Sequence, residues 1–158
     1  MHDLLFAVLS FTPGPFWLIL IVAPGVQFAW RCLDVYLLLL SAVFSVQTLP
    51  VVQELLPTIA SPTLPAIQHL LGSRSGTLAA WNHMILADLW IGRWVCQDAI
   101  RHAMPAMVRT AALVVVLFFG PLGLFLYCSY RTFHTGSLWT SDRATRRASN
   151  VVRGARGE

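Results

Sequence analysis

Long runs of apolar residues, interrupted by prolines and almost free of charge, restrict most strongly how this chain can fold. Apolar side chains make up 56% of its 158 residues, charged ones make up only 11%, and the mean hydropathy is +0.65. These values lie outside the usual range of soluble domains. An α-helix of about 20 apolar residues matches the thickness of a bilayer core. The sequence therefore predicts an all-α membrane protein.

Four runs are predicted to cross the membrane, over residues 4–23, 33–49, 78–97 and 107–130. The chain has no room for a separate soluble domain, so residues 1–131 are expected to form one small four-helix transmembrane bundle. An even number of crossings places both termini on the same side of the membrane.

Prolines separate the second run from the third. Pro50, Pro57, Pro62 and Pro65 stand within a short segment, and a Gly- and Ser-rich stretch follows them. Proline removes a backbone donor and clashes with the preceding turn, so a continuous helix is excluded there. We expect this segment to lie at the membrane interface, with a short helix over about 65–71.

Arginine supplies all eleven basic residues, and its distribution predicts the orientation. Six arginines follow the last apolar run: Arg131, Arg143, Arg146, Arg147, Arg153 and Arg156. An excess of Arg marks the cytoplasmic side. The tail over 132–158 is therefore expected to be cytoplasmic, disordered and in contact with anionic lipid headgroups rather than nucleic acid. Arg31, Arg101 and Arg109 then fall on the opposite side, against the same rule.

The third run differs from the others because it carries ionisable side chains, His83, Asp88, Arg93 and Asp98. Such groups are costly within a bilayer and need a partner or a role. At about 100° per residue, His83 and Arg93 share a polar face with Asn82, whereas Asp88 projects from nearly the opposite side. Asp98 can reach a basic residue one turn later, at Arg101, but Asp88 needs a partner from elsewhere.

Two interpretations of this polar helix remain open. In the first, its side chains hold the helices together: Asn82 and His83 bridge helices, and Arg93 binds carbonyls that Pro121 leaves free. Pro121 itself is expected to kink the fourth run. In the second, the polar groups converge on the hydroxyl or epoxide end of an apolar ligand. The walls of that cavity would be Trp81, Trp90 and Trp94.

Other chemistries have weaker support in the sequence. His83, Asp88 and His102 are metal-ligand types, but their spacing matches no metal-binding motif. Cys32, Cys96 and Cys128 are scattered and are expected to be apolar fillers. No metal and no cofactor is predicted. A proton relay through His83 and Asp88 remains open.

Two motifs in the second half of the chain resemble those of a known family. The first comprises Trp81-Asn82-His83, then ADLWIGRWV over 87–95, then Gln97-Asp98; the second is FGPLGLFLY over 119–127. Together they resemble the ABA-deficient-four-like membrane proteins. The family pattern is Trp-x-His, Asp-Leu-Phe-x-Gly-Arg-Trp, an acidic residue, and Phe-Gly-Pro-Leu-Gly. The resemblance covers roughly residues 77–131.

This resemblance implies a four-span protein whose plant members are needed for neoxanthin formation, a xanthophyll step in which violaxanthin is isomerised. Asn82 and Trp90 depart from the family pattern, and the chain lacks a plant transit peptide. A bacterial relative in the inner membrane, with a cytoplasmic C-terminus, is therefore expected. The positions that match the family are Trp81, His83, Asp88, Gly92, Arg93, Trp94, Asp98, Gly120, Pro121 and Gly123.

Two functions follow as expectations. The first is binding of a carotenoid or other isoprenoid, with isomerisation of a xanthophyll-like lipid if the protein is an enzyme, and with Asp88 or His83 transferring a proton. The second is a non-catalytic scaffold or accessory subunit of a membrane complex. In either case the stretch 81–98 is predicted to contact the segment 119–121. The expected ligand-binding residues are Trp81, Asn82, Trp90, Arg93, Trp94, Asp98, Gly120, Pro121 and Gly123.

Overall fold

A computed structural model describes residues 2–136, and this part of the chain is built from α-helices, which confirms the all-α prediction. A 3₁₀ turn at Leu49–Val51 joins the third helix to the fourth. The sequence from 137 onward, with most of the predicted Arg-rich tail, lies outside the described residues. The helices are α1 (His2–Phe11), α2 (Gly14–Val22), α3 (Gln27–Thr48), α4 (Val52–Ala60), α5 (Leu64–Gly72), α6 (Arg74–Arg101) and α7 (Ala106–Thr135).

Three helical segments of the described chain are long and apolar enough to cross a membrane: Asp3–Val22, Gln27–Ala60 and Ala106–Thr135. They identify a membrane protein. The polar helix α6 is not among them, although it is 28 residues long. Its position explains its composition, because α1, α2, α3, α5 and α7 all pack against it. A helix covered by neighbours can carry polar groups that a lipid-facing helix cannot.

The long helices lie side by side in alternating directions. Ser10 of α1 contacts Trp81, and Trp17 of α2 contacts Gly92, so the α1–α2 segment runs parallel to α6. Asp34 of α3 contacts Arg93, and the end of α3 lies beside the first half of α6, so α3 runs antiparallel. One end of the molecule therefore holds residue 2, α4, α5 and the start of α6, and we call it the N-terminal end. The opposite end holds the 23–26 turn and the α6–α7 connection, and we call it the C-terminal end.

Two local expectations need correction. The second run was predicted over 33–49, but α3 already begins at Gln27, directly after the Pro24-Gly25 turn, so Arg31 lies inside the helix. The Pro-rich segment is also more helical than expected. The predicted helix over 65–71 corresponds to α5, but α4 was not expected, and it tolerates Pro57 within its exposed last turns.

The predicted kink in α7 is confirmed, and it is a full reversal of direction. Phe119 and Gly120 have non-helical backbone angles. A Cβ on Gly123 would collide with the backbone and side chain of Val116, seven residues earlier. Residues seven apart in a straight helix are separated by about 10 Å along the axis, so this contact requires the chain to fold back. The two halves of α7, residues 106–118 and 121–135, form a helical hairpin.

Contacts with α6 fix the position of this hairpin. Its tip lies beside the middle of α6, where Asp88 abuts Gly120. Its second half returns to the C-terminal end, where Tyr127 and Arg131 reach Asp98. The kink that was expected in the fourth run is therefore a reversal of the chain and more than a bend. The hairpin encloses the core between its halves and α6, and Val95, Leu113 and Val116 are fully buried there.

Candidate functional site

The polar side chains of α6 are distributed along and around the helix, in separate groups. At the C-terminal end, the Asp98 carboxylate is 5% exposed and binds two groups from the returning half of α7. Tyr127 donates its hydroxyl to Oδ2 at 2.7 Å, and Arg131 places Nε 2.6 Å from the same oxygen. His102 lies beside them, with Nδ1 3.5 Å from Oδ1. This cluster joins α6 to the end of α7.

The pairing of Asp98 differs from the prediction, and Arg131 explains why. Arg131 was placed with the cytoplasmic tail, yet it is 2% exposed and paired inside the protein. Arg101, the expected partner, is exposed. A buried carboxylate is stabilised by a cation that is also shielded from water, because little solvent screens that pair. Tyr127 and Arg131 are four residues apart, so their helical spacing was the signal for a shared partner.

A second group surrounds Arg93 on the side of α6 that faces α3. Its Nε donates to Asp34 Oδ1 at 2.7 Å, and Nη1 donates to Gln97 Oε1 at 3.2 Å. The guanidinium carbon lies 5.9 Å from the ring centre of Trp30 and 5.7 Å from that of Trp90. Both distances suit cation–π attraction. The predicted contact between Arg93 and carbonyls freed by Pro121 is wrong, because α3 and α7 lie on different sides of α6.

Asn82 bridges α6 and α3, as the interpretation of polar groups between helices predicts. Its Nδ2 donates to Gln47 Oε1 at 3.0 Å and to the Leu40 carbonyl at 3.4 Å. The side chain is fully buried. Asn82 therefore stabilises the contact between these helices and is closed to a ligand from the surface.

Asp88 contacts the hairpin tip, which confirms the predicted contact between 81–98 and 119–121. Its carboxylate occupies the space that a Cβ on Gly120 would need. Among the described residues its oxygens have no hydrogen-bonding or ionic side-chain partner. The second half of α7 starts at this level, and the first N–H groups of a helix attract negative charge. Gly120 is the residue that lets the two groups approach.

The three tryptophans of α6 do not share one wall. Trp81 lies towards the N-terminal end, where its Nε1 donates to Ser10 at 2.9 Å. Trp94 packs edge-on against Tyr127, with ring centres 5.8 Å apart. Trp90 is 58% exposed and stands next to Arg93. Of the three, Trp90 has the most freely accessible ring.

Two shallow grooves follow α6, and His83 borders both. The one nearer the C-terminal end has a volume of about 360 Å³ and is lined by Ser41, His83, Leu86, Ala87, Trp90 and Ile91. The one nearer the N-terminal end has a volume of about 250 Å³ and is mostly lined by apolar residues of α3, the 3₁₀ turn, α4, α5 and α6, including Phe44, Val51, Leu70 and Met84. His83 also contacts the Phe44 ring, with centres 5.5 Å apart.

The grooves bring together some of the predicted site residues and leave out others. His83 and Trp90 line them, and Arg93 adjoins them through Trp90. Asn82 is buried behind them. The predicted residues at the hairpin interface, outside the lining of both grooves, are Asp88, Trp94, Asp98, Gly120 and Gly123. Within residues 2–136, no three His, Cys, Asp or Glu side chains form a group that could hold a metal ion.

The glycines of the two sequence motifs, in α6 and α7, let neighbouring helices pack closely. A Cβ on Gly92 would meet the indole of Trp17 at 2.5 Å, so this glycine lets α2 approach α6. Gly123 allows the two halves of α7 to touch at Val116. The sequence motifs therefore mark the helix contacts around α6 as much as a ligand site.

The apolar helices and the polar helix that they surround define a helical membrane protein. In a comparison with known families, residues 4–127 match the family described as ABA DEFICIENT 4-like. That match spans most of the chain, and the protein belongs to this family, as the two motifs had indicated. Neither a comparison with curated proteins nor one with solved structures gives a match.

Proposed function

We propose that this protein binds a xanthophyll-like carotenoid or related linear isoprenoid within the bilayer, along the two grooves of α6. The observation that carries the proposal is that His83 borders both grooves, while Trp90 lines the second groove and lies next to Arg93, which is paired with Asp34. From Gly76 to Trp90 this path is about 21 Å long, at 1.5 Å per residue.

Such a path suits a long apolar molecule with a polar end. Aromatic and aliphatic side chains would contact the polyene, and the Arg93–Asp34 pair would bind the hydroxyl or epoxide of the end group. Trp30 and Trp90 flank the Arg93 guanidinium and hold it in place. Membership of a family associated with neoxanthin formation supports this choice of ligand.

If the bound lipid is isomerised, His83 is the side chain best placed for proton transfer. Isomerisation of an epoxide end group requires one proton to leave carbon and one to reach the epoxide oxygen, with no net change in composition. His83 lines the grooves, whereas Asp88 lies against Gly120. We therefore assign proton transfer to His83 and contact with the hairpin to Asp88.

The test is the visible spectrum of the protein purified in mild detergent from a carotenoid-producing host. We expect a bound polyene, identified after lipid extraction, and at least a fivefold loss of it in Trp90→Leu. Phe133→Leu is the matched control, because Phe133 is 91% exposed and lies outside both grooves. A wild-type protein with no more pigment than an unrelated membrane protein from the same host would contradict the proposal.

A non-catalytic scaffold is the second candidate function, and the buried polar contacts of Asn82 and Asp98 favour it. Both side chains are buried in contacts between helices, where polar groups contribute to packing. A colourless protein that purifies with a stable membrane partner would support the scaffold over the carotenoid protein.

A further inference from the structure

We propose that α7 enters the bilayer and returns to the side from which it came, so that the two termini lie on opposite sides of the membrane. The crossings would then be the α1–α2 segment, α3 and α6. This topology replaces four spans with three spans and a re-entrant hairpin. It does not depend on the identity of the ligand.

The lengths of the two halves of α7 support this topology. Residues 106–118 extend about 20 Å and residues 121–135 about 22 Å as helices, whereas a span needs about 30 Å. Helical stretches of this length are typical of re-entrant segments. The apolar composition that makes Ala106–Thr135 resemble one span comes from two short helices, one after the other.

The tip of the hairpin is suited to membrane depth. Irregular backbone is tolerated there only where protein covers it. Gly120, one of the two non-helical residues of the turn, is buried against Asp88 of α6. Phe118 and Phe119 are 70% and 64% exposed and present apolar rings outward. The tip lies beside the middle of α6, at half the depth of the bundle.

The distribution of arginine is an independent argument for the same topology. Arg31, Arg101 and Arg109 lie towards the C-terminal end of the molecule, and Arg74 lies at the other end. The chain also leaves α7 at the C-terminal end, and the sequence that follows holds five more arginines: Arg143, Arg146, Arg147, Arg153 and Arg156.

A straight α7 would put the five arginines that follow it on the opposite side of the membrane from Arg31, Arg101 and Arg109. That separation was the departure from the positive-inside rule noted from the sequence. With the hairpin, the chain leaves α7 at the end of the molecule that holds Arg31, Arg101 and Arg109, and the positive-inside rule then makes that side the cytoplasm. The cytoplasmic C-terminus agrees with the sequence prediction, but the N-terminus is assigned to the opposite side.

The test is cysteine labelling in a chain whose Cys32, Cys96 and Cys128 are replaced by alanine. Single cysteines are introduced by Gly25→Cys, Ser61→Cys and Ala103→Cys, and a fourth is added after Glu158. A membrane-impermeant maleimide is applied to intact spheroplasts and to inverted vesicles. We expect Gly25→Cys, Ala103→Cys and the added C-terminal cysteine to react only in inverted vesicles, and Ser61→Cys only in spheroplasts.

The comparison between Ala103→Cys and the added cysteine is decisive, because those two sites flank α7. Labelling of both from the same side supports the re-entrant hairpin, and labelling from opposite sides overturns it. If the cysteine-free chain does not fold, the unmodified chain is fused at each terminus to alkaline phosphatase or a fluorescent protein. We expect phosphatase activity at the N-terminus and fluorescence at the C-terminus, and the same reporter active at both ends would overturn the proposal.

Discussion

Asp98 of α6 and Arg131 of α7 are 2.6 Å apart, although in a straight α7 they would be separated by about 30 Å along the helix axes. The contact between Asp88 and Gly120 fixes how α6 and α7 are aligned. Asp98 lies 10 residues beyond this contact along α6, towards the C-terminal end of the molecule. In a straight α7, Arg131 would lie 11 residues beyond the same contact in the opposite direction. The ion pair therefore exists because the chain reverses at 119–120, and it closes the open end of the hairpin.

Removing one partner of this pair is expected to destabilise the protein strongly. Asp98→Asn leaves Arg131 buried next to a neutral group, and Arg131→Gln leaves the carboxylate without its cation. Each change is expected to cost about 3–5 kcal/mol of unfolding free energy, because a buried charge without its partner is costly. The measurement is denaturant unfolding in detergent, with the double variant included to obtain the coupling energy.

Arg93 and Asp34 provide the matched control, since the Asp34 side chain is 50% exposed and solvent screens the pair. Asp34→Asn is expected to cost about 1 kcal/mol or less. If Asp98 and Arg131 behaved additively, with no coupling, their contact and the folded-back α7 would both be contradicted.

Much of the fold was predictable from the sequence because membrane helices are read from local composition. The long helices, the short helix α5 and the disruption before Pro121 all follow from apolar runs and proline positions. The reversal of α7 was not predictable in this way. A kinked span and a hairpin have the same composition, and only the non-local contact between Gly123 and Val116 separates them.

The polar partners were harder to predict for a similar reason. Helical periodicity shows which side chains share a face, and it correctly separated Asp88 from His83. It cannot show which neighbouring helix covers that face. Arg93 paired with Asp34, and Asp98 with Arg131, because packing order and the turn at 119–120 brought those residues together. Neither partner is close in sequence.

Gly120→Ala is expected to loosen the hairpin tip, because its Cβ would occupy the position of the Asp88 carboxylate. Overpacking of this kind costs about 1–3 kcal/mol of unfolding free energy. Combining it with Asp88→Ala makes room and should recover part of the loss. Thermal unfolding in detergent measures both effects.

Gly14→Ala is the control, because no atom lies within 4 Å of the Cβ position at Gly14, and it is expected to have little effect. Equal losses at both glycines would argue against a specific contact.

His83→Gln is expected to separate proton transfer from folding. If His83 is the acid or base, its removal lowers isomer formation about 100-fold or more while bound pigment is retained. Asp88→Asn keeps the size of the side chain and, on the same assignment, has a much smaller effect on conversion. Chromatography of extracted pigments gives the isomer ratio for each variant.

His134→Gln, which changes a histidine outside both grooves, is the control. Loss of conversion in Asp88→Asn alone would reverse the two assignments.

Arg93→Lys is expected to weaken ligand binding without unfolding the protein. Lysine keeps the positive charge, but it lacks the planar fork that reaches Asp34 and Gln97 together while lying between Trp30 and Trp90. Because the Asp34 side chain is 50% exposed and solvent screens the pair, the change in unfolding free energy should stay near 1 kcal/mol. If this group holds the polar end of the lipid, pigment retention should fall about tenfold for ligands with a hydroxylated or epoxidised ring. A carotene without oxygen should be retained equally by both proteins. An equal loss of both ligands would instead locate the effect in the packing of the groove.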